Sequence, residues 1–364
     1  MKKISRNYAL DIIRIFALFC VVSVHFFLKS GYYGIFVRGY RMYVATLVRS
    51  FFMICVPLFL LLSGYLMKKK SPTKQYYFKL TRILVEYLLA SMCCIVYTVM
   101  ANGMSGNGAV FFANQICSLF SYKAAPYGWY VEMYIGLYLI IPFLNIIYNN
   151  LKTQREKQKL IFTMLFLTAI PCVTNAFVFD VGNQQMTFKM LPEWWNGIYP
   201  ISYYCLGAYL SEYPVKLKKS VHCLLIFLMF LLSGTFNYWK CNGDLFQWGD
   251  WQNYESVFVV IQSTLIFTLL LQCSCKPGGI RENVFAYLSD RCFCAYLVSY
   301  IFDDMIYRLS GWFDNMMVYR LELYVVTVPF VFLMSLLMSS LIHEIYCLCQ
   351  KTAKHIFGSA QSVR

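Results

Sequence analysis

The sequence predicts an all-α, polytopic membrane protein: a helical bundle of about ten transmembrane helices with both termini cytoplasmic. Three observations predict it. Of the 364 residues, 59% are hydrophobic and only 13% are charged, where soluble domains carry roughly 25% charged residues. Several apolar runs reach the ~20 residues that a helix needs to cross a bilayer. The lysines and arginines crowd into alternate loops, as they do where positive loops stay in the cytoplasm.

The first span covers residues 8–28 and follows a basic start (Lys2, Lys3, Arg6) with no small-residue cleavage site after it, so it is expected to be a retained helix. The second, 44–67, stops at Lys68, Lys69 and Lys70. The third, 83–101, begins after Arg82, and the fourth, 127–148, opens on the aromatic run around Trp129. The fifth, 160–179, follows a basic segment holding Lys152, Arg155, Lys157 and Lys159. The sixth, 198–211, is short and contains Pro200. The seventh, 221–239, follows Lys216, Lys218 and Lys219, and the eighth is 254–273. The ninth, 284–307, and the tenth, 321–346, complete the set, with Lys351, Lys354 and Arg364 beyond. Residues 1–350 read as one transmembrane domain and 351–364 as a short cytoplasmic tail. No internal repeat is visible.

Counting alternate loops from the N-terminus gathers 22 of the 32 basic residues, including Lys74, Lys79, Lys276, Arg281 and Arg291. Only nine fall on the other side: Lys29, Arg38, Arg41, Arg49, Lys123, Lys189, Lys240, Arg308 and Arg320. The net charge of +15 is therefore topological, and no nucleic-acid role is expected. Most of the 15 cysteines lie in apolar runs and read as small hydrophobes. The C-x-C pairs at Cys273/Cys275, Cys292/Cys294 and Cys347/Cys349 lack partners at zinc-site spacing, so no metal is expected.

The first span is the most informative. Asp11, Arg14 and His25 interrupt it, and at about 100° per residue the three share one stripe roughly 60° wide, with the two basic groups about 16 Å apart along the axis. Charges inside a bilayer cost about 2.5–3.5 kcal/mol each on insertion scales and usually face a protein interior or a wet cavity. The stripe points to a site reached from both membrane faces. The plainer alternative is an Asp11–Arg14 ion pair, a snorkelling Arg14 and a His25 among headgroups.

Glu132 lies about five residues into the fourth span, near the depth of His25. A carboxylate there can orient a histidine base, or sit hydrated beside Trp129 and Tyr130. Asp303 and Asp304 are expected to pair with Arg308, and His343 and Glu344 to sit at the membrane interface. The basic segment from Lys68 to Arg82 reads as a stop-transfer signal or as a surface for a polyanionic cofactor or anionic lipid. The segments 102–126, 180–197 and 240–253 are expected to be short outer loops, and the glycines of GMSGNG (Gly103 to Gly108) are no phosphate cradle.

With these residues assembled, the chain resembles the acyltransferase-3 family of integral-membrane acyltransferases. LDIIR followed by His25 gives Arg14, ten residues, then His25, a spacing characteristic of that family's first helix. RSFFMICVPLFLLLSGYLM (Arg49 to Met67) is similar to its second-helix pattern ending in SGY, and GWYVEMYIGLYLIIP (Gly128 to Pro142) to its Trp-Tyr segment. The chain departs from the family at Gly128, where a His is common, and at Ser299, which stands at the His of a Y-L-x-H motif. The resemblance implies transfer of an acyl group, acetyl by expectation, from cytoplasmic acetyl-CoA to a hydroxyl of a cell-surface polysaccharide or its lipid-linked precursor, at the plasma membrane. Arg14 and Asp11 are then expected to serve the donor, and His25 with Glu132 the proton transfer. The alternative is a multi-pass transporter of a glycan or acyl precursor without covalent chemistry, which broken helices would favour.

Overall fold

A computed structural model describes residues 7–361, apart from 104–106, 182–183, 188, 276–277 and 310–320. Lys2, Lys3, Arg6, Lys276, Arg320 and Arg364 lie outside the described residues, as do the side chains of Lys351 and Lys354 and the middle of GMSGNG.

Helix α1 (Tyr8–Lys29) begins where Asn7 caps it, its side chain accepting the Ala9 backbone N–H at 3.1 Å. This fixes where the helix starts, three residues ahead of Asp11. The second span is two helices, α2 (Gly39–Phe52) and α3 (Cys55–Met67), broken at Met53 and Ile54, just ahead of Pro57. A short α4 (Lys74–Phe78) lies between α3 and α5 (Leu80–Asn102). The stretch expected to be a bare loop contains α6 (Gly108–Phe120), an apolar helix with no buried residue. Helices α7 (Trp129–Asn150) and α8 (Gln154–Thr168) follow, the latter closed by a capping box between Thr153 and Glu156.

A four-residue α9 (Pro171–Thr174) leads into one short antiparallel hairpin, β1 (Val178–Val181) with β2 (Gln184–Thr187). Then come α10 (Tyr199–Glu212), α11 (Lys219–Cys241) and α12 (Val257–Leu270). The ninth expected span is also broken, into α13 (Ile280–Ser289) and α14 (Cys292–Leu309), before the long α15 (Tyr324–Gln361). The fold is thus an all-helical bundle apart from that hairpin, and the chain is a multi-pass membrane protein.

Among the described residues, seven helical stretches are long and apolar enough to cross a membrane. The other three expected spans correspond to α8 and α10, which are 15 and 14 residues long, and to α14, which carries Asp303, Asp304 and Arg308.

Helix α1 is the hub, packing on α2, α3, α12, α13, α14 and α15. Its Ile13, Ala17, Leu18 and Cys20 are fully enclosed. The peripheral helices instead present apolar stripes outward, such as Leu88, Met92 and Val96 on α5 and Leu333, Leu337 and Leu341 on α15, as lipid requires. Helices α3 and α10 cross at closest approach. A Cβ at Gly64 would collide with the Tyr204 carbonyl, and one at Gly207 with the Leu61 carbonyl. This small-residue crossing gives the glycine of the SGY motif its reason.

Segments expected on the same side of the membrane touch one another. Lys68, Lys157 and Glu212, from three loops expected on one side, meet in a single cluster, with Lys68 Nζ 3.4 Å from Glu212. On the other face the Val37 backbone N–H donates to the Asp244 carbonyl at 2.8 Å, and Asn196 donates to Asp250 at 3.0 Å.

Candidate active site

Of the stripe on α1, Arg14 lines a cavity. Arg14 donates from Nη1 to Asp11 Oδ1 at 3.0 Å and to Ser289 Oγ at 3.1 Å, across the α13–α14 break. Asp11 is 1% exposed and holds the guanidinium from behind. Arg14 therefore keeps its charge-compensating partner and still presents an edge to the cavity, whereas Asp11 reaches the cavity only through Arg14.

The cavity measures about 410 Å³ and lies between α1, α3, α5, α7, α13 and α14. At the Arg14 end its wall includes Arg82, Glu86, Ser289 and Asp290, with Arg82 Nε donating to Glu86 at 2.8 Å. At the other end it closes on Val21, Val56, Tyr130 and Tyr296. Val21 is seven residues from Arg14 on the same face of α1, about 10 Å along the axis, and His25 stands one turn further on. Ser63, the serine of SGY, lines the middle, donating to the Phe59 carbonyl at 2.9 Å and lying 3.4 Å from the Tyr134 hydroxyl. Most of the wall is apolar, so the polar groups at its ends fix what enters and how it points.

A second space of about 340 Å³ adjoins the first through Met67, which lines both. Lys69, Lys70, Lys79, Thr73 and Gln75 wall it. The segment from Lys68 to Arg82 thus folds into a basic recess that neighbours the cavity across Met67, beyond what a stop-transfer signal needs.

His25 sits just past the closed end of the cavity. Its ring stacks on Tyr127 at 3.6 Å between centroids, and Tyr296 lies 6.4 Å away. Tyr296 donates its hydroxyl to the Tyr127 backbone carbonyl and meets Tyr130 edge-on at 5.9 Å. The carboxylate beside the imidazole is Asp303 of α14, whose Oδ2 is 3.7 Å from His25 Nδ1 and accepts the Tyr127 hydroxyl at 2.9 Å. Nδ1 has no hydrogen-bond partner. A 3.7 Å separation is longer than a hydrogen bond, and such pairs in ligand-free enzymes commonly tighten when substrate binds.

The position of Glu132 corrects the expectation that it orients His25. Its side chain is exposed and lines neither cavity. Depth suggested the pairing, but rotation decides it. Tyr130, Tyr134 and Tyr138 occupy the inward face of α7 at four-residue spacing, and Glu132 is about 200° from Tyr130. The sequence does carry a signal for Asp303: Cys292, Tyr296, Ser299 and Asp303 recur at i, i+4, i+7 and i+11 on one face of α14. Of the two aspartates expected to pair with Arg308, Asp304 does so, and Asp303 turns inward instead.

The two departures from the family pattern have local reasons. At Gly128 a side chain would strike the carbonyls of Tyr122 and Ala125. Ser299 is buried and donates to the Tyr296 carbonyl at 2.8 Å, tying the backbone under Tyr296. His343 lies 3.5 Å from Cys347 Sγ, and buried His222 is 3.1 Å from Thr268 Oγ1; neither lines the cavity holding Arg14, although His343 faces a small space that shares Glu86 and Asp290 with it. Among the described residues no group of three His, Cys, Asp or Glu side chains is placed to hold a metal.

Compared with characterised proteins and with solved structures, the chain matches none. A family model for an acyltransferase domain does match it, over residues 7–344. That match takes in α1 with its Arg14 and His25, the cavity walls and α14 with Asp303, and so the chain belongs to the acyltransferase-3 family of membrane acyltransferases.

Proposed function

We propose that the protein transfers an acyl group, acetyl by preference, from a cytoplasmic acyl-CoA to a hydroxyl of a cell-surface polysaccharide or its lipid-linked precursor. The observation that carries this is the placing of Arg14 at one end of a single cavity and His25 just beyond the other. The donor's phosphates suit the basic recess of Lys69, Lys70 and Lys79 and the Arg82 rim. From there the arm carrying the thioester enters past Arg14 toward Val21 and Tyr296. The positive-inside count supports a cytoplasmic Arg14 end and an external His25 end, and the plasma membrane is the membrane proposed.

The chemistry then follows from the histidine. With its Nδ1–H directed at Asp303, His25 presents Nε2 as the acceptor. Nε2 takes the proton of the sugar hydroxyl as the oxygen attacks the thioester carbonyl. The carbon–sulfur bond breaks, and the proton leaves with the departing thiolate as a thiol. Tyr127 holds both partners, stacking on the imidazole and donating to Asp303. The helix breaks at Met53 and Ile54 and at Asp290 and Arg291 are a feature that the transporter reading calls for; family membership favours acyl transfer instead.

The test is glycan mass spectrometry on cells with and without the gene, repeated with His25→Gln. The expected result is an acyl mark that disappears in both cases, with His25→Gln protein present in the membrane at normal levels. An unchanged mark in cells carrying His25→Gln would refute the assignment. Reporter fusions after Lys70 and at Asn242 should read cytoplasm and exterior respectively.

A further inference from the structure

We infer that Arg49 is the receptor for an oxyanion on the acceptor glycan, a sugar carboxylate or a phosphate, and so selects an acidic acceptor. The inference rests on the acyltransferase reading of the adjoining site.

Arg49 occupies the last turn of α2 and is 2% exposed. Helical side chains lean toward their own N-terminus, which sends this one toward the face where α1 ends. There its Nε donates to the Tyr33 hydroxyl at 3.2 Å, and its guanidinium lies 4.8 Å from the Phe246 ring and 5.8 Å from the Tyr33 ring. Its Nη1 has no hydrogen-bond partner. Among the described residues no carboxylate is within ion-pair distance of it, although Arg14 has Asp11 and Lys157 has Glu212. Ring faces and one phenol compensate a desolvated guanidinium only in part. What would complete it is an oxyanion, and a guanidinium is suited to take one with its free edge.

The cover over this cation fits a sugar. Tyr33 and Phe246 come from the segments that follow α1 and α11, and Trp248 packs on Tyr33 at 4.5 Å while remaining 61% exposed. An exposed indole backed by a phenol offers an apolar face with a polar edge, matching the C–H face of a pyranose. The same region connects to the reaction centre. Cys55, six residues beyond Arg49, lies 3.9 Å from the Tyr254 hydroxyl. Tyr254 stacks on Trp129 at 5.8 Å, and the neighbouring Tyr130 meets Tyr296 beside His25. A run of packed rings thus links the anion site at Arg49 to the base. The donor has its own cations at the opposite end of the bundle, so Arg49 is not needed there.

The experiment uses the purified full chain in nanodiscs with acetyl-CoA and three disaccharide acceptors of one backbone: neutral glucose, glucuronate and glucose phosphate. Binding is measured by calorimetry and transfer by mass spectrometry. The expected result is a preference of roughly 10- to 100-fold for a charged acceptor over the neutral one, as one charge-assisted contact supplies; which charged arm wins identifies the group. Arg49→Met should erase the ratio and Arg49→Lys should retain part of it. Trp248→Ala, at an exposed position, should weaken all three acceptors alike.

Equal use of charged and neutral acceptors by the unaltered protein, no binding of either charged one, or a full preference surviving in Arg49→Lys and Arg49→Met would overturn the inference. If Arg49→Met does not fold, as judged by thermal unfolding, the Arg49→Lys ratio decides. Selective binding of a charged disaccharide with no acetyl transferred would sink the acyltransferase reading and leave this one standing. Transfer without charge preference would do the reverse.

Discussion

Asp303→Asn separates a positioned histidine from a merely nearby one. The carboxylate is 1% exposed, accepts the Tyr127 hydroxyl at 2.9 Å and stands 3.7 Å from His25 Nδ1. Asparagine keeps the shape and the bond from Tyr127 but removes the charge that stabilises an imidazolium. A hydrogen bond to a charged group contributes about 1.5–3 kcal/mol, and each 1.36 kcal/mol is tenfold in rate. The expected loss in kcat is therefore roughly 10- to 150-fold, with donor KM little changed because Arg14 is untouched. Labelled acetyl transfer from acetyl-CoA in proteoliposomes reads this directly. His25→Gln should lose more, about 10²- to 10⁴-fold. The double variant should be no worse than His25→Gln alone, since both changes disable one unit. A folded Asp303→Asn protein with full turnover, or losses that multiply in the double variant, would refute the pairing.

Other outcomes follow from the same geometry. Arg14→Ala should weaken acetyl-CoA binding and leave glycan binding nearly unchanged; Arg14→Lys should recover only part of the loss, because an ammonium cannot bond Asp11, Ser289 and the donor in the planar geometry of a guanidinium. Equilibrium binding of the donor checks both. Glu132→Gln, on the exposed face of α7, should leave turnover within about twofold, the ~0.5 kcal/mol usual for surface changes; a shifted pH profile would return it to the site. Gly64→Ala forces α3 away from the Tyr204 carbonyl and should destabilise the bundle by about 1–3 kcal/mol, seen as earlier thermal unfolding in detergent.

The bundle and the α1 stripe were legible because both are periodic. Apolar runs mark spans, charge asymmetry sorts loops, and 3.6-residue geometry places Arg14 and His25 on one face whatever surrounds them. The helix breaks were less legible. Nothing apolar or polar changes at Met53 and Ile54, and Pro57 alone does not say on which side a helix yields. The outer helix Gly108–Phe120 was hidden by its Gly- and Asn-rich approach. The choice of Glu132 over Asp303 shows where single-helix reasoning stops: depth can be counted along a sequence, but the rotation of one helix against another is set by packing. Arg49 shows the same limit from the other side. It reads as an ordinary interfacial arginine until Tyr33 and Phe246, sixteen residues before it and almost two hundred after, are seen to close over it.

The cavity beside Arg14 reaches as far as Tyr296, and the rings of Tyr296, Tyr127 and His25 pack together beyond it. Those rings make the protein an insulator as well as a site. A polar stripe running across a membrane is a few side chains away from a conduit, and each proton slipping through one dissipates about 2.3 kcal/mol per 100 mV of potential. Aromatic bulk at these positions is thus answerable to the cell's ion gradients and not to turnover alone. A small residue at 296 would trouble the host through leakage even if transfer went on, so variation there should be narrower than the chemistry by itself demands.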